Sequence, residues 1–543
     1  MAQVCACSYL YLIIQCFVQL GRTYSKSHMT STRAHVEIGQ PKLPRKMTFQ
    51  KEKGVFIRHL SIDTPKMASF LALVVIVTLL AVVNGRMLPQ KSVLNTDQER
   101  ALFAELHKGQ PTADATATAW CEEPIAKAPV NFPANIVGRA EINYDMFSGY
   151  VNVTQHDFLF YWLTTTVDKN PKAPLVIWTN GGPGCSAMEA ATTENGPLSL
   201  FQIKESCSED KEQCDYTNQF SPNKYSWNQH ANVVYLDQPR FVGNSGGDSQ
   251  ATYVHSSVDA AADFVVFYRG FIELFPEFKG RPLIISGESY GGHYIPAFAQ
   301  AILDDQAKTA GVDDIPFAGA IIGNGCTDDS IQNNEKYAEF LHSAGLIPST
   351  SNPKTRATAD SLVHSTIGYT PNYYDYRLQS INCPGCFGYN YNDWSHFFIQ
   401  DDVKKAMNVC GNAGDNAFAG TKGGCIDGLM PFDANDKFDY VGALANTLSA
   451  GVPVTFYYGK MDTACNYVGG MALAEAIEWA GQKAFVASKL APLEIAGAEV
   501  GQVKGAQDLL VFMQVDMAGH MVGLDEGAAS SAALMTIVQK YRQ

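Results

Sequence analysis

Arg281–Leu303 reads RPLIISGESYGGHYIPAFAQAIL, and this stretch decides the fold. An apolar run, Leu283–Ser286, enters a serine bracketed by glycines, Gly287-Glu288-Ser289-Tyr290-Gly291, and a helical pattern over Tyr294–Gln306 follows. A strand, a tight turn and a helix in that order lift a serine hydroxyl above the end of a sheet, and the flanking glycines remove Cβ atoms that would clash in so sharp a turn. The five-residue G-x-S-x-G word is weak evidence alone; the strand before it and the helix after it give it weight.

Outward from this stretch the same rhythm recurs. Short apolar runs lie at Pro174–Thr179, Asn232–Leu236, Phe317–Ile322, Val454–Tyr458 and Leu509–Val515, each closed by a turn containing Gly or Asp. Continuously apolar strands suit a sheet covered on both faces. Helical segments such as Ser257–Phe275 lie between them, so the chain is expected to be α/β with a mostly parallel central sheet flanked by helices. Residues 140–166 read as antiparallel strands, with Gly149 between two β-rich runs. The Asn-, Tyr- and Cys-rich region at about 327–432 breaks the rhythm and is expected to be a cap inserted over the sheet.

A serine hydroxyl is a poor nucleophile at its own pKa and needs a base. Strand Val454–Tyr458 runs into Gly459-Lys460-Met461-Asp462, and strand Leu509–Val515 into Met517-Ala518-Gly519-His520. Both residues therefore sit in loops after strands, in the order serine, acid, histidine. His520 would take the proton from Ser289, and Asp462 would orient the imidazole. Asp516 and Asp525 lie too close to His520 in sequence to occupy a separate acid loop. An earlier strand runs into Asn180-Gly181-Gly182-Pro183-Gly184-Cys185, where consecutive glycines leave backbone N–H groups able to face a developing oxyanion.

The N-terminal region differs from the rest. The 543 residues carry a formal net charge of −14, yet residues 1–66 hold ten basic and three acidic residues, so the remainder stands at −21. An acidic body argues against nucleic acid as a partner. Residues 1–66 form a basic extension. Residues 67–85 contain the apolar run ASFLALVVIVTLLAVV and then Val83-Asn84-Gly85, with small residues suited to signal-peptidase cleavage. This predicts a secretory signal, with a signal anchor as the alternative. Residues 86–118 resemble a leader, and the globular texture begins near 119 and runs to 543. Ten cysteines follow the signal, an even count that permits disulfides in an exported chain. Asn152-Val153-Thr154 is a glycosylation sequon. No HExxH motif occurs, and the Cys383–Cys386 pair lacks a partner pair at zinc spacing, so neither metal nor cofactor is expected.

WTNGGPGCS, YSWNQHANVVYLDQP, SGESYGGHYIPAFA, IIGNGCTD, NYYDYR, GKMDTACN and AGHMV occur in this order. Together they resemble the serine carboxypeptidases, α/β-hydrolases that release the last residue of a peptide through an acyl-enzyme. The resemblance covers most of residues 140–535. It implies Ser289, Asp462 and His520 as the triad, and Gly182 with the N–H of Tyr290 as the oxyanion hole. Asn180, Gly181, Glu194 and Glu288 would grip the substrate's terminal carboxylate. Glu189 is a rival to Glu194, otherwise expected on a helix surface. Cys465 matches a free cysteine lining the substrate site, and Met521 a residue beside the pocket for the departing amino acid. Peptide or protein C-termini would be the substrates, hydrolysed at acidic pH, in a secreted or lysosome/vacuole-type setting.

The resemblance also implies a disulfide between Cys185 and a cap cysteine, best matched by Cys425. Local Cys207–Cys214 and Cys383–Cys386 bridges are expected with it. Cys121 and Cys410 remain as a further pair, leaving Cys326 and Cys465 as free thiols. The chain departs from the family at Gly523, where proline is usual, suggesting a mobile loop after His520. It departs also at Glu526-Gly527, at Arg240, a position that could alter a subsite, and at Cys326, where the family has a large apolar residue. Acyl transfer on the same scaffold and a non-catalytic protective role are the alternative functions. The intact Glu194–Glu288 pair favours a peptidase.

Overall fold

The computed structural model describes residues 124–542, except 139, 208–213, 249–250, 310–313, 334, 352, 354–355, 379–393, 412–423, 426–431 and 433–436. The expected extension, signal and leader, and the Cys383–Cys386 pair, lie outside the described residues.

The apolar runs form parallel strands of one large sheet, and a separate two-stranded sheet accompanies it. In chain order the strands are β1 (Ala128–Pro129), β2 (Met146–Asn152), β3 (Asp157–Thr164), β4 (Leu175–Thr179), β5 (Leu198–Cys207), β6 (Cys214–Pro222), β7 (Asn232–Leu236), β8 (Gly246–Gly247), β9 (Leu283–Glu288), β10 (Phe317–Gly323), β11 (Val454–Gly459), β12 (Ala491–Ile495), β13 (Ala498–Ala506) and β14 (Leu510–Val515). The main sheet runs β1-β2-β3-β7-β4-β9-β10-β11-β14-β13-β12, and β8 pairs with β3. From β7 to β14 every neighbouring pair is parallel, and the antiparallel strands β1–β3 and β12–β13 extend the two edges. This is a mostly parallel α/β sheet.

Burial on both faces explains the continuous apolar runs. In β9, Leu283 and Ile285 join a core with helices Ser257–Leu274, Gly291–Thr309 and Tyr440–Ser449. Ile284 points to the opposite core, with helix Gly527–Val538. Alternate side chains of one strand thus enter two separate cores, so neither face is left to solvent. Between β10 and β11 the chain forms helices, among them Glu335–Ser343, Arg356–Ile367 and Asp401–Ala406, and adds no strand to the sheet among the described residues.

Gly149 does not separate two strands. It lies inside β2, where an added Cβ would stand 2.3 Å from the carbonyl oxygen of Ala126. The break falls at the turn after exposed Asn152, where the Thr154 hydroxyl accepts the N–H groups of His156 and Asp157. Arg240 is held in a cluster of buried charge. Its guanidinium is clamped by Asp263 at 2.6 and 2.8 Å and by Asp157 at 2.9 Å, because three charges drawn out of water must satisfy one another. No helix among the described residues is long and apolar enough to cross a membrane.

Candidate active site

Parallel strands all end at the same edge of the sheet, so the loops that follow them are brought together. Ser289 directly follows β9, Asn324 follows β10, Asp462 lies three residues past β11, and His520 lies five past β14. Ser289 has φ of +61°, a left-handed conformation unusual for a residue with a side chain. The surroundings hold it there. Its N–H donates to the Gly323 carbonyl at 3.0 Å, and its carbonyl accepts the N–H groups of Gly292 and Cys326, each at 2.9 Å.

His520 Nδ1 lies 2.7 Å from Asp462 Oδ2, and both side chains are buried. Asp462 is held from all sides. Oδ2 also accepts from Asn324 Nδ2 at 2.8 Å and from the Cys465 N–H at 3.1 Å, while Oδ1 accepts the Ala464 N–H at 2.7 Å. With Nδ1 engaged, His520 Nε2 is the nitrogen left to act, and it is buried without a hydrogen-bond partner. A buried unsatisfied nitrogen at this position fits a group that gains its partner only when the reacting complex forms.

The glycine turn after β4 lies against the serine turn. A Cβ on Gly181 would meet the Glu288 carbonyl and the Tyr290 nitrogen at 2.5 Å, so only glycine permits this approach. Gly182 has φ of +111°, again a glycine conformation. The backbones of Gly181–Gly182 and of Tyr290 therefore converge beside Ser289, as an oxyanion hole requires. Asn180 is buried; its Oδ1 accepts from Trp178 Nε1 at 2.7 Å, and its Nδ2 donates to Glu189 Oε2 at 3.2 Å. Glu189 is thus not on a helix surface. The helix Met188–Thr193 is short and almost wholly enclosed, which leaves it no solvent face there.

Glu194 and Glu288 are both buried, each 3% exposed, next to one another. Burial pushes the Glu194 carboxyl up to about 7. A hydrogen bond shared with Glu288 opposes the rise most, followed by the nearby His520 and the amide of Gly523. Glu288 stands well above the usual carboxylate range, first because it is buried and then because Glu194, Glu189 and Asp462 place negative charge near it. Two desolvated carboxyls side by side hold a proton between them well above the pH at which a free one would lose it.

The chain matches the family model described as serine carboxypeptidase over residues 137–366 and 362–540. The chain belongs to the serine carboxypeptidase family. Serine carboxypeptidase 3 of Oryza sativa subsp. japonica is 29% identical over 504 residues, covering 87% of this chain and 95% of the relative. Carboxypeptidase Y homolog A of Chaetomium globosum is 30% identical over 427 residues, covering 73% of each. Among solved structures, Kex1(delta)p, a prohormone-processing carboxypeptidase from Saccharomyces cerevisiae, matches with a TM-score of 0.60 at 22% identity, covering 76% of this chain and 95% of that one. That likeness supports the shared fold.

Two features of this serine carboxypeptidase differ from the sequence-based expectation. Cys326 and Cys465 are not free thiols but a disulfide. Their Cα atoms stand 5.3 Å apart because the loops after the neighbouring parallel strands β10 and β11 lie side by side, and that separation suits a bridge. Cys465 therefore offers no thiol to a substrate. The loop after His520 is not loose either. Val522–Asp525 form a helical turn with Gly523 buried, and Asp525 accepts the Gly519 N–H at 2.7 Å. Met521 is buried directly after His520. Cys185 and Cys425 are bonded, 240 residues apart in sequence. Cys207 and Cys214 are register partners across the β5–β6 hairpin. Cys410 is disulfide-bonded, and Cys121, its expected partner, lies outside the described residues.

Sequence reasoning missed Asn324 and the segment 372–377. Both lie within quoted motifs, IIGNGCTD and NYYDYR, and that was the available signal. The Tyr374 carbonyl accepts the His520 N–H at 2.8 Å, and its ring packs 4.7 Å from the imidazole. The Tyr373 carbonyl accepts from Thr463, and the Tyr376 N–H donates to the Met461 carbonyl. One cap segment thus straps the acid loop to the histidine loop.

Proposed function

We propose that Ser289 attacks the last peptide bond of a peptide or protein at acidic pH. His520 takes its proton through Nε2 and later delivers it to the departing amino acid, and Asp462 holds the ring and stabilises the imidazolium. The N–H groups of Gly182 and Tyr290 bind the oxyanion, and water hydrolyses the acyl-enzyme. Glu194 and Glu288, with Asn180 and Gly181, read the substrate's terminal carboxylate, and Met521 borders the site for the departing side chain. The signal expected at 67–85 and the disulfides support a secreted or lysosome/vacuole-type location, with Asn152 available for glycosylation.

The observation that carries this reading is the pair of buried carboxyls beside the nucleophile, with raised proton affinity. When protonated, the pair donates hydrogen bonds to a carboxylate; when ionised, it repels one. The test compares N-blocked dipeptides with a free C-terminus and with an amidated one, from pH 4.5 to 7.5. KM for the free peptide should rise with pH, while KM for the amide stays nearly level. A constant KM for the free peptide, with kcat alone declining, would overturn the assignment of the pair.

A further inference from the structure

The Cys326–Cys465 bridge joins the two loops on which the catalytic geometry depends. Register pairing between β10 and β11 ends at Gly323 and Tyr457, so beyond that point ladder hydrogen bonds no longer fix the loops to one another. Cys326 lies in the loop after β10, where its N–H donates to the Ser289 carbonyl at 2.9 Å. Cys465 lies in the loop after β11, where its N–H donates to Asp462 Oδ2 at 3.1 Å. The Cys465 sulfur, a carboxylate oxygen of Asp462 and a ring nitrogen of His520 all lie within 4.8 Å of one another. The bridge closes a circuit from the nucleophile through Cys326 and Cys465 to the acid and its imidazole.

We propose that Cys326–Cys465 is a positioning bridge that fixes Asp462 relative to Ser289, so that turnover depends on its oxidation state. This rests on the triad assigned above. In the oxidised state the loops cannot separate. A dithiol reductant supplies two electrons and two protons, is itself oxidised to a cyclic disulfide, and leaves thiols at Cys326 and Cys465. Hydrogen bonds then hold the loops without a covalent tie, chiefly Asn324 to Asp462 and to the Gly459 N–H. Cys326 is only partly buried, so a small reductant can approach from its side. The residues assigned to the terminal carboxylate, Asn180, Glu194 and Glu288, stand on other elements. Opening the bridge should therefore lower kcat by about tenfold and leave KM within about twofold, as expected for loss of orientation at the reacting centre.

The test uses the whole secreted protein. Non-reducing peptide mapping should recover Cys326 joined to Cys465; alkylation of either as a free thiol before reduction would overturn the proposal. Cys326→Ala, Cys465→Ala and the double variant should share one lowered kcat with near-normal KM, because each removes the same bridge. Additive losses, a change confined to KM, or wild-type kcat in the variants would overturn it. Dithiothreitol treatment of the folded wild type should bring kcat to the same level, and reoxidation should restore it. The double variant reports what the reductant does at other bridges; an equal fractional loss there would overturn the proposal. The reduction arm stands if a variant fails to fold. Ser289→Ala run in parallel separates the two readings. If it retains activity the triad is wrong, whereas an inactive Ser289→Ala beside unaffected cysteine variants removes this inference alone.

Discussion

Asn324 supplies the sharpest expectation about catalysis. It is fully buried, with φ of +37°, at the first position after β10. Its Nδ2 donates to Asp462 Oδ2 at 2.8 Å, and its Oδ1 accepts the Gly459 N–H at 3.0 Å. One side chain therefore binds both Asp462, the proposed acid, and the start of the loop that carries it. Asn324→Gly removes both bonds while keeping a residue comfortable in the left-handed region. A hydrogen bond to a charged group contributes about 1.5–3 kcal/mol. If most of that acts on the orientation of Asp462, kcat should fall by about ten- to a hundredfold, at about 1.4 kcal/mol per factor of ten. KM should change little. Asn324→Ala should match the glycine variant in kcat but lose about 1 kcal/mol more in stability, because alanine is strained at positive φ. The assay is kcat on a chromogenic N-blocked substrate, normalised by active-site titration, with thermal melts alongside. A folded Asn324→Gly with kcat within twofold of wild type would refute the reasoning.

Two further outcomes follow from buried charge. Burial raises the proton affinity of Glu194, to about 7, and of Glu288. A raised folded-state pKa means that the contribution to stability is complete below the ordinary carboxyl value of 4.5 and is lost as pH climbs through about 7 and beyond. The wild-type melting temperature should therefore drop between pH 5 and 8, and Glu288→Gln should drop less; parallel slopes in differential scanning calorimetry would contradict this. Arg240→Leu should destabilise the fold by about 3–5 kcal/mol in denaturant melts, by stranding Asp157 and Asp263, while the preference among C-terminal side chains stays unchanged; an altered preference would give Arg240 a role at a subsite.

The strand–turn–helix around Ser289 was legible because β9 opens on the apolar run Leu283–Ile285 and both neighbours of the serine word declare themselves. Asp462 and His520 were legible for the same reason, since each follows an apolar strand. Other features depend on contacts that sequence does not display. Glu189 reads as a surface residue on a short helix, and only the enclosure of that helix buries it against Asn180. Cys326 and Cys465 stand 139 residues apart, and the resemblance pointed to a free thiol, so nothing local announced their bond. The hairpins β5–β6 and β12–β13 went unread because their sequences, such as FQIKESC and AEVGQVKGA, mix charge into weakly alternating runs. β12 is an edge strand that tolerates Pro492, which further weakens its signal. Asn324 sits in a motif that marks it, but its role exists only once β10 and β11 lie side by side.

The central claim is that Ser289 performs the chemistry, and one measurement tests it most directly. Wild-type and Ser289→Ala protein are incubated with an N-blocked dipeptide at acidic pH, and release of the C-terminal amino acid is followed alongside labelling by a fluorophosphonate probe. The account predicts release and a single labelled site at Ser289 in the wild type, with both lost in a variant that melts normally. Continued release by folded Ser289→Ala, or probe attached at another residue, would contradict it.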